Sequence, residues 1–142
     1  MKILTPISYD VLMSKKFISW IINKIIINKT KRNNLIINEC QVYWCFWGEN
    51  IGYEQDGKGE NFHRPVLIFK KFNNEMFWGI PLSTKNKDNK YYIKLLLQDI
   101  EQSAIISQIR ALDTKRLSKY IGYISMNDFI KIQNRIIDII RR

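Results

Sequence analysis

Histidine is almost missing from this 142-residue chain: there is one, His63, beside two cysteines, Cys40 and Cys45. Two cysteines make no disulfide framework, and with a single histidine they fall short of a typical structural zinc set. Both thiols are expected to be free and at least partly buried. Acids are scarce too, thirteen against twenty-three Lys and Arg, for a net charge of +10. Glu54 and Asp56 alone are a weak case for Mg²⁺, so neither a metal nor a cofactor is expected. A long apolar run is also lacking. The densest stretch, Phe17 to Ile27, is interrupted by Ser19, Asn23 and Lys24 and is about half the length of a membrane span. The polar Thr30-Lys31-Arg32-Asn33-Asn34 after it has no small-residue cleavage pattern. A cytoplasmic protein with no membrane partner is expected.

What is present is a core and a positive field. Hydrophobic residues make up 46 % of the chain, which excludes intrinsic disorder, and the length suits one domain. The charge is unevenly spread. Residues 1–38 hold seven Lys/Arg and one Asp (+6), and residues 39–142 hold sixteen and twelve (+4). Such a field speeds the capture of polyanions without saying which.

Two parts are expected: an N-terminal helical extension, 1–38, and a main domain, 39–142. In the first, Ser8 or Asp10 starts a helix reaching about Asn28. Phe17, Trp20, Ile21 and Ile25 fall at helical spacing, with Ile18, Ile22 and Ile26 on an adjacent face. So wide a stripe predicts docking on the rest of the chain. In the second part, strands are predicted over 41–47, 64–72, 76–82, 91–97, 103–109 and 120–124, with a helical turn over 114–119. Pro65 suits a strand start, and Asn73-Asn74 a hairpin turn. Ser125 caps a final helix with Asp128 as the acidic member of a capping box. That helix carries an apolar stripe of Met126, Phe129, Ile130, Ile136, Ile137 and Ile140. The fold class that follows is α+β, mainly β: a small antiparallel barrel with a C-terminal amphipathic helix and an N-terminal helical extension.

Hairpin geometry yields the first site. If 64–72 pairs with 75–82, the start of one strand lies beside the end of the next, so Arg64 and Ser83 are neighbours. The long loop from Gly48 to His63, of a length that is often functional, carries Glu54, Gln55, Lys58 and His63 into Arg64. The loop after Leu82 offers Ser83, Thr84, Lys85 and Lys87. Arg grips phosphate through two parallel hydrogen bonds and stays charged. RNA carries its own nucleophile in the 2′-OH, so an enzyme need only hold the attack in line and stabilise the phosphoryl oxygens.

Ordered segments then resemble one family. Val42-Tyr-Trp-Cys-Phe-Trp-Gly48, Asn50-Ile-Gly-Tyr-Glu-Gln-Asp-Gly57 and Arg64-Pro-Val-Leu-Ile68 resemble the first strand, G-x-E-Q-x-G loop and R-P-V-L-[IV] strand of PemK/MazF toxins of type II toxin–antitoxin systems, the mRNA interferases. Ile80-Pro-Leu-Ser-Thr84 is similar to their hydrophobic-P-[IL]-[TS] segment. Ser107-Gln-Ile-Arg110 with Leu112-Asp-Thr-Lys-Arg-Leu117 resembles their Q-[IL]-[RK]-x-[IVL]-D-x-x-R-L signature, and Ile121-Gly-Tyr-Ile-Ser125 their ending. The segments span 41–139. The resemblance implies an SH3-like barrel, a homodimer, and metal-independent cleavage of single-stranded RNA at short sequences, leaving a 2′,3′-cyclic phosphate or 3′-phosphate and a 5′-OH. It implies neutralisation by a cognate antitoxin, and operator DNA as a partner only for the toxin–antitoxin complex. Arg64 and Ser83 fall on the catalytic positions. There the arginine acts as proton donor or phosphoryl clamp, and the hydroxyl, usually threonine, orients the 2′-OH. Glu54, Gln55, Lys58, His63, Thr84, Lys85, Gln108 and Arg110 are the implied RNA-binding residues.

The chain departs from that pattern in three places. Ser replaces Thr at 83, Lys58-Gly-Glu-Asn-Phe-His63 lengthens the loop, and 1–38 lies outside the shared segments. His63 titrates near neutrality when unperturbed, yet the family mechanism needs no histidine there. Lys85, Lys87, Lys90 and Lys94 are candidates for backbone phosphates, and Trp44, Trp47, Phe62 and Trp78 for base stacking. Two other readings stay open at this point: a non-enzymatic growth inhibitor that poisons gyrase, and a catalytically decayed member that still binds antitoxin.

Overall fold

Runs of β-branched and aromatic residues build the sheet, and their burial shows that it is covered on both faces. The computed structural model describes Ser8 and residues 15–142. Among these, two helices and seven strands follow in the order α1 (Phe17–Lys29), β1 (Gln41–Phe46), β2 (His63–Lys71), β3 (Met76–Ser83), β4 (Tyr92–Leu97), β5 (Ile100–Ile105), β6 (Arg110–Asp113), β7 (Leu117–Tyr123) and α2 (Met126–Arg141). Val66, Leu67 and Ile68 are consecutive and all buried, the mark of a strand with apolar layers on both sides. Leu67 joins Val42, Ile80, Leu82, Leu95 and Phe129 in one cluster. Val66 and Ile68 join Tyr43, Cys45, Trp47, Phe77 and Leu112 in the other. Each such side chain adds roughly 1.5–3 kcal/mol on full burial. Cys45 is one of them, and burial pushes its thiol up to about 12; Cys40 is half-buried and both are free.

All pairings are antiparallel, in the order β4-β5-β3-β2-β1-β7, with β6 also on β3. The fold is α+β and mainly β, as expected. The outer strands β4 and β7 are linked through a side chain rather than a ladder: Gln98, just past β4, donates from Nε2 to the carbonyl of Ile121 at 2.7 Å.

The strand expected over 103–109 is instead β5, a 3₁₀ turn over Ile106–Gln108, and β6. The cause is the shared edge of β3. Ala104 pairs with Leu82 and Arg110 with Gly79, so the 104–110 segment has three residues more than the edge it follows, and the turn takes them up. The helical turn expected over 114–119 spans only Thr114–Arg116, capped by the Asp113 carboxylate on the Lys115 amide, so β7 begins at Leu117 rather than at 120.

Ser125 does cap α2, its Oγ accepting from the Asp128 amide at 3.1 Å. The Asp128 carboxylate makes no return bond. It accepts from the Leu96 amide and pairs with Lys131, which ties the helix to β4. α2 buries Phe129 and Ile132, with Ile136 packed beside them, while Met126, Ile130, Ile137 and Ile140 stay exposed. The stripe that meets the sheet is therefore narrower than the sequence pattern, and Ile132 belongs to it.

α1 differs more. It is described from Phe17, and the expected cap Asp10 lies outside the described residues; Ser8 is described and is not helical. The helix docks through Trp20, 6 % exposed, with its isoleucines turned outward: Ile18, Ile21, Ile22, Ile25 and Ile26 are each more than half exposed. At 100° per residue these five span the face opposite Trp20. The expected docking holds, but through one indole rather than the isoleucine stripe. No described helix is long and apolar enough to cross a membrane.

Candidate functional site

The β2–β3 register builds the centre of the site. Val66 faces Pro81, so Arg64, two residues before Val66, comes level with Ser83. Arg64 is only 8 % exposed. Its Nε donates to the carbonyl of Asp56 at 2.9 Å and its Nη1 to the carbonyl of Leu82 at 3.0 Å. These bonds anchor the guanidinium between the Gly48–His63 loop and the end of β3. Among the described residues no carboxylate forms an ion pair with it. Asp56 supplies only its carbonyl, because its carboxylate is engaged by Lys15 at 3.0 Å and by the Asn50 amide at 2.6 Å. Burial lowers the pKa of Arg64, opposed by Tyr92 and Asp56. An arginine still stays protonated near neutrality. A desolvated cation with N–H groups to spare is a receptor for an anion.

Arg64 and Ser83 line one groove of about 530 Å³ with Trp44, Lys58, Gly59, His63, Pro65, Leu82, Thr84, Gln102, Ser118 and Lys119. Ser83 Oγ accepts from the Lys85 amide at 3.1 Å. That bond fixes the hydroxyl as threonine's methyl otherwise would and leaves its proton to donate. Thr84 is exposed beside it, and Lys85 follows outside the lining residues. Lys58 and His63 face each other across a two-residue bridge, each amide donating to the other's carbonyl at 2.8 and 3.0 Å.

The His63 ring packs on Phe46 at 4.6 Å and Trp44 at 5.9 Å, with Nε2 3.4 Å from Ser118 Oγ. Burial lowers its pKa. The folded chain thus binds fewer protons than the unfolded one just below about pH 6.5, so the stability His63 contributes is complete above that value and lost as pH falls through the window below it. Asp113, held low chiefly by its hydrogen bond from Arg32, loses its contribution only below the ordinary carboxylate range. The Tm of the native chain is therefore expected to fall more between about pH 7 and pH 5.5 than that of His63→Gln; equal slopes in thermal melts would contradict this.

Other expected RNA-binding residues lie away from the groove lining and hold the loop. Gln108 Oε1 accepts from the Gln55 amide at 3.2 Å. Glu54 closes a turn on the Ile51 amide at 2.7 Å. Arg110 stacks 4.9 Å over Trp47, whose Nε1 donates to the Gln55 carbonyl at 2.9 Å. Of the aromatics, Trp44 reaches the groove, whereas Trp47 and Phe62 are buried. Gln102, Ser118 and Lys119 line the groove and were missed. The shift of β7 to Leu117 is what brings the last two in, and no sequence signal marked it. Among the described residues no three of His, Cys, Asp and Glu converge as a metal cage.

Comparison with known proteins agrees with this architecture. The sequence profile described as "PemK-like, MazF-like toxin of type II toxin-antitoxin system" matches residues 38–140. No curated protein sequence matches the chain. Among solved structures, MazF of Deinococcus radiodurans superposes with a TM-score of 0.63 at 13 % identity, covering 77 % of this chain and 100 % of that one. A mycobacterial endoribonuclease solved with its cognate antitoxin gives 0.54 at 18 % identity, over 71 % of this chain and 91 % of that one. A MazE–MazF structure from Deinococcus radiodurans gives 0.57 at 10 %, over 75 % and 97 %. At these identities the likeness is one of fold.

Proposed function

The chain belongs to the PemK-like, MazF-like toxin family of type II toxin–antitoxin systems, and from that premise we propose that it is a metal-independent endoribonuclease acting on single-stranded RNA. The observation that carries the proposal is Arg64: a buried guanidinium, held by two carbonyls, with no carboxylate partner among the described residues, opening on a groove that also presents Ser83. The phosphate between two nucleotides is an anion that such a guanidinium suits. In the reaction the 2′-OH attacks the adjacent phosphorus as its P–O5′ bond breaks. The 2′ proton is released, the 5′ oxygen takes up a proton, and a 2′,3′-cyclic phosphate and a 5′-OH remain. Arg64 stabilises charge on the non-bridging oxygens, and Ser83 orients the ribose hydroxyl. A serine hydroxyl is a poor base, so its role is positioning. Lys58 and Lys119 on the rim, with Lys85 beyond it, attract the backbone, and Trp44, 38 % exposed, offers a face for a base.

The same reading makes the protein a homodimer neutralised by an antitoxin, and a binder of operator DNA only together with that antitoxin. An acidic antitoxin tail, disordered until bound, suits the basic groove.

The experiment incubates purified protein with a long single-stranded RNA in EDTA and maps the ends. Discrete cuts bearing 5′-OH termini are expected, with binding that weakens as salt rises. Intact RNA, with replication arrested in cells making the protein, would overturn the nuclease reading in favour of a gyrase-type poison.

A further inference from the structure

The helix α1 lies outside the family match at 38–140, yet its contacts fall on the segments that form the groove. Trp20 lies against Gly48, so closely that a Cβ there would sit 2.4 Å from the indole, and its ring is 5.5 Å from Phe62. Around it, Lys15 Nζ pairs with the Asp56 carboxylate at 3.0 Å and donates to the Asn50 carbonyl at 2.7 Å. The Lys16 amide donates to Glu49, and Asn23 Nδ2 to the Glu60 carbonyl. All of these partners sit in the Gly48–Phe62 loop, whose Asp56 carbonyl holds Arg64.

The same segment also grips the other wall. Arg116 lies 5.7 Å over the Trp20 ring and donates to the Phe46 carbonyl at 3.0 Å. Lys115 Nζ donates to the Asn28 carbonyl at 2.9 Å, and Arg32, just past α1, pairs with Asp113 at 2.9 Å. These residues lead directly into β7, which carries Ser118 and Lys119.

We propose that α1 is a strap that joins the two walls of the groove, with Trp20 as a positioning residue acting on Arg64 through the Asp56 carbonyl. The role rests on the reading of Arg64 as the catalytic cation. The loop has few buried apolar side chains of its own, Phe62 being the main one, and a segment so sparsely packed opens locally unless something covers it. The strap supplies the cover, which is why an indole is spent on a backbone glycine instead of on the core.

The full-length chain is compared with Trp20→Ala, Trp20→Phe and Lys15→Met in two measurements. The first is hydrogen exchange at the amides of Gly57, Lys58 and His63, which bond to the carbonyls of Gly48, His63 and Lys58. The second is kcat and KM on a short RNA in EDTA. Trp20→Ala is expected to speed exchange at these three amides by about tenfold or more while the core amides of Leu67 and Ile80 hold. It is expected to lower kcat by about 10- to 100-fold with a smaller change in KM. Trp20→Phe restores most of both, and Lys15→Met, on the surface, shows the same changes at smaller size. Loop exchange that is unchanged in both Trp20→Ala and Lys15→Met overturns the strap. So does acceleration spread evenly over the sheet in Trp20→Ala with none in Lys15→Met, and so does unchanged kcat in a variant whose loop has loosened. A native chain that cuts no RNA while its loop still depends on Trp20 would defeat the nuclease reading and not the strap.

Discussion

Arg64→Met is expected to remove RNA cleavage while leaving the protein folded and about as stable as before. The two halves of that result come from one feature. With no carboxylate partner among the described residues, the buried cation costs desolvation free energy that the carbonyls of Asp56 and Leu82 offset only in part. Replacing it with an apolar chain of similar length removes that cost but leaves the two carbonyls without their donor, a penalty of about 1–3 kcal/mol, so the two effects largely offset each other. Activity has no such compensation. A preorganised donor to the phosphoryl oxygens is worth roughly 10²–10³ in kcat, and the loss of its full charge in a low-dielectric groove adds to that. Arg64→Lys should be nearly as poor, because one ammonium cannot hold two carbonyls and an anion at once. The check is cleavage in EDTA alongside a thermal melt. Wild-type rates in Arg64→Met would remove the central claim. A Tm many degrees lower would show that the guanidinium is there for structure rather than for substrate.

How much of this was legible in the sequence depended on distance along the chain. The Arg64–Ser83 juxtaposition was, because a hairpin is local: its turn at Asn73-Asn74 and two apolar runs fix the register, and the Asn73 carboxamide caps the turn on the Glu75 and Met76 amides. The family motifs carried the rest of the assignment. Gln108 and Arg110, implied as substrate contacts, also brace the loop through Gln55 and Trp47. A motif records that a residue matters without saying whether it touches the ligand or a neighbour. β6 was missed because its pairing is set by the spare length between β5 and β3, a quantity no local pattern contains. The outward isoleucines of α1 escape the sequence pattern for a related reason. Periodicity identifies an apolar face, but a single Trp that finds a glycine to lie on can decide which face docks.

Gly57→Ala is expected to be among the most damaging single-methyl changes in the chain. Gly57 is buried in the loop; its amide donates to the Gly48 carbonyl at 2.7 Å, and a Cβ would stand 1.8 Å from the carbonyl oxygen of Phe62 and 2.2 Å from its carbon. No rotamer relieves a clash with backbone. The Phe62 carbonyl cannot step aside cheaply either, since it accepts from both the Trp47 and Gly48 amides at 2.9 and 3.2 Å. Moving it breaks the closure of the loop and shifts the neighbouring Asp56 carbonyl off Arg64. A stability loss of about 3 kcal/mol is expected, equivalent to ~10 °C in Tm at this size. Cleavage should fall by about 10²-fold, as expected when a catalytic group is displaced by roughly 1 Å. The control is in the same loop. Gly52 and Gly59 have φ of +56° and +74°, and a Cβ on either would find nothing within 4 Å, so alanine there meets only left-handed backbone strain of about 1–2 kcal/mol. If Gly57→Ala melts and cuts like Gly59→Ala, the loop is soft enough to absorb the methyl, and the fixed geometry ascribed to Arg64 goes with it.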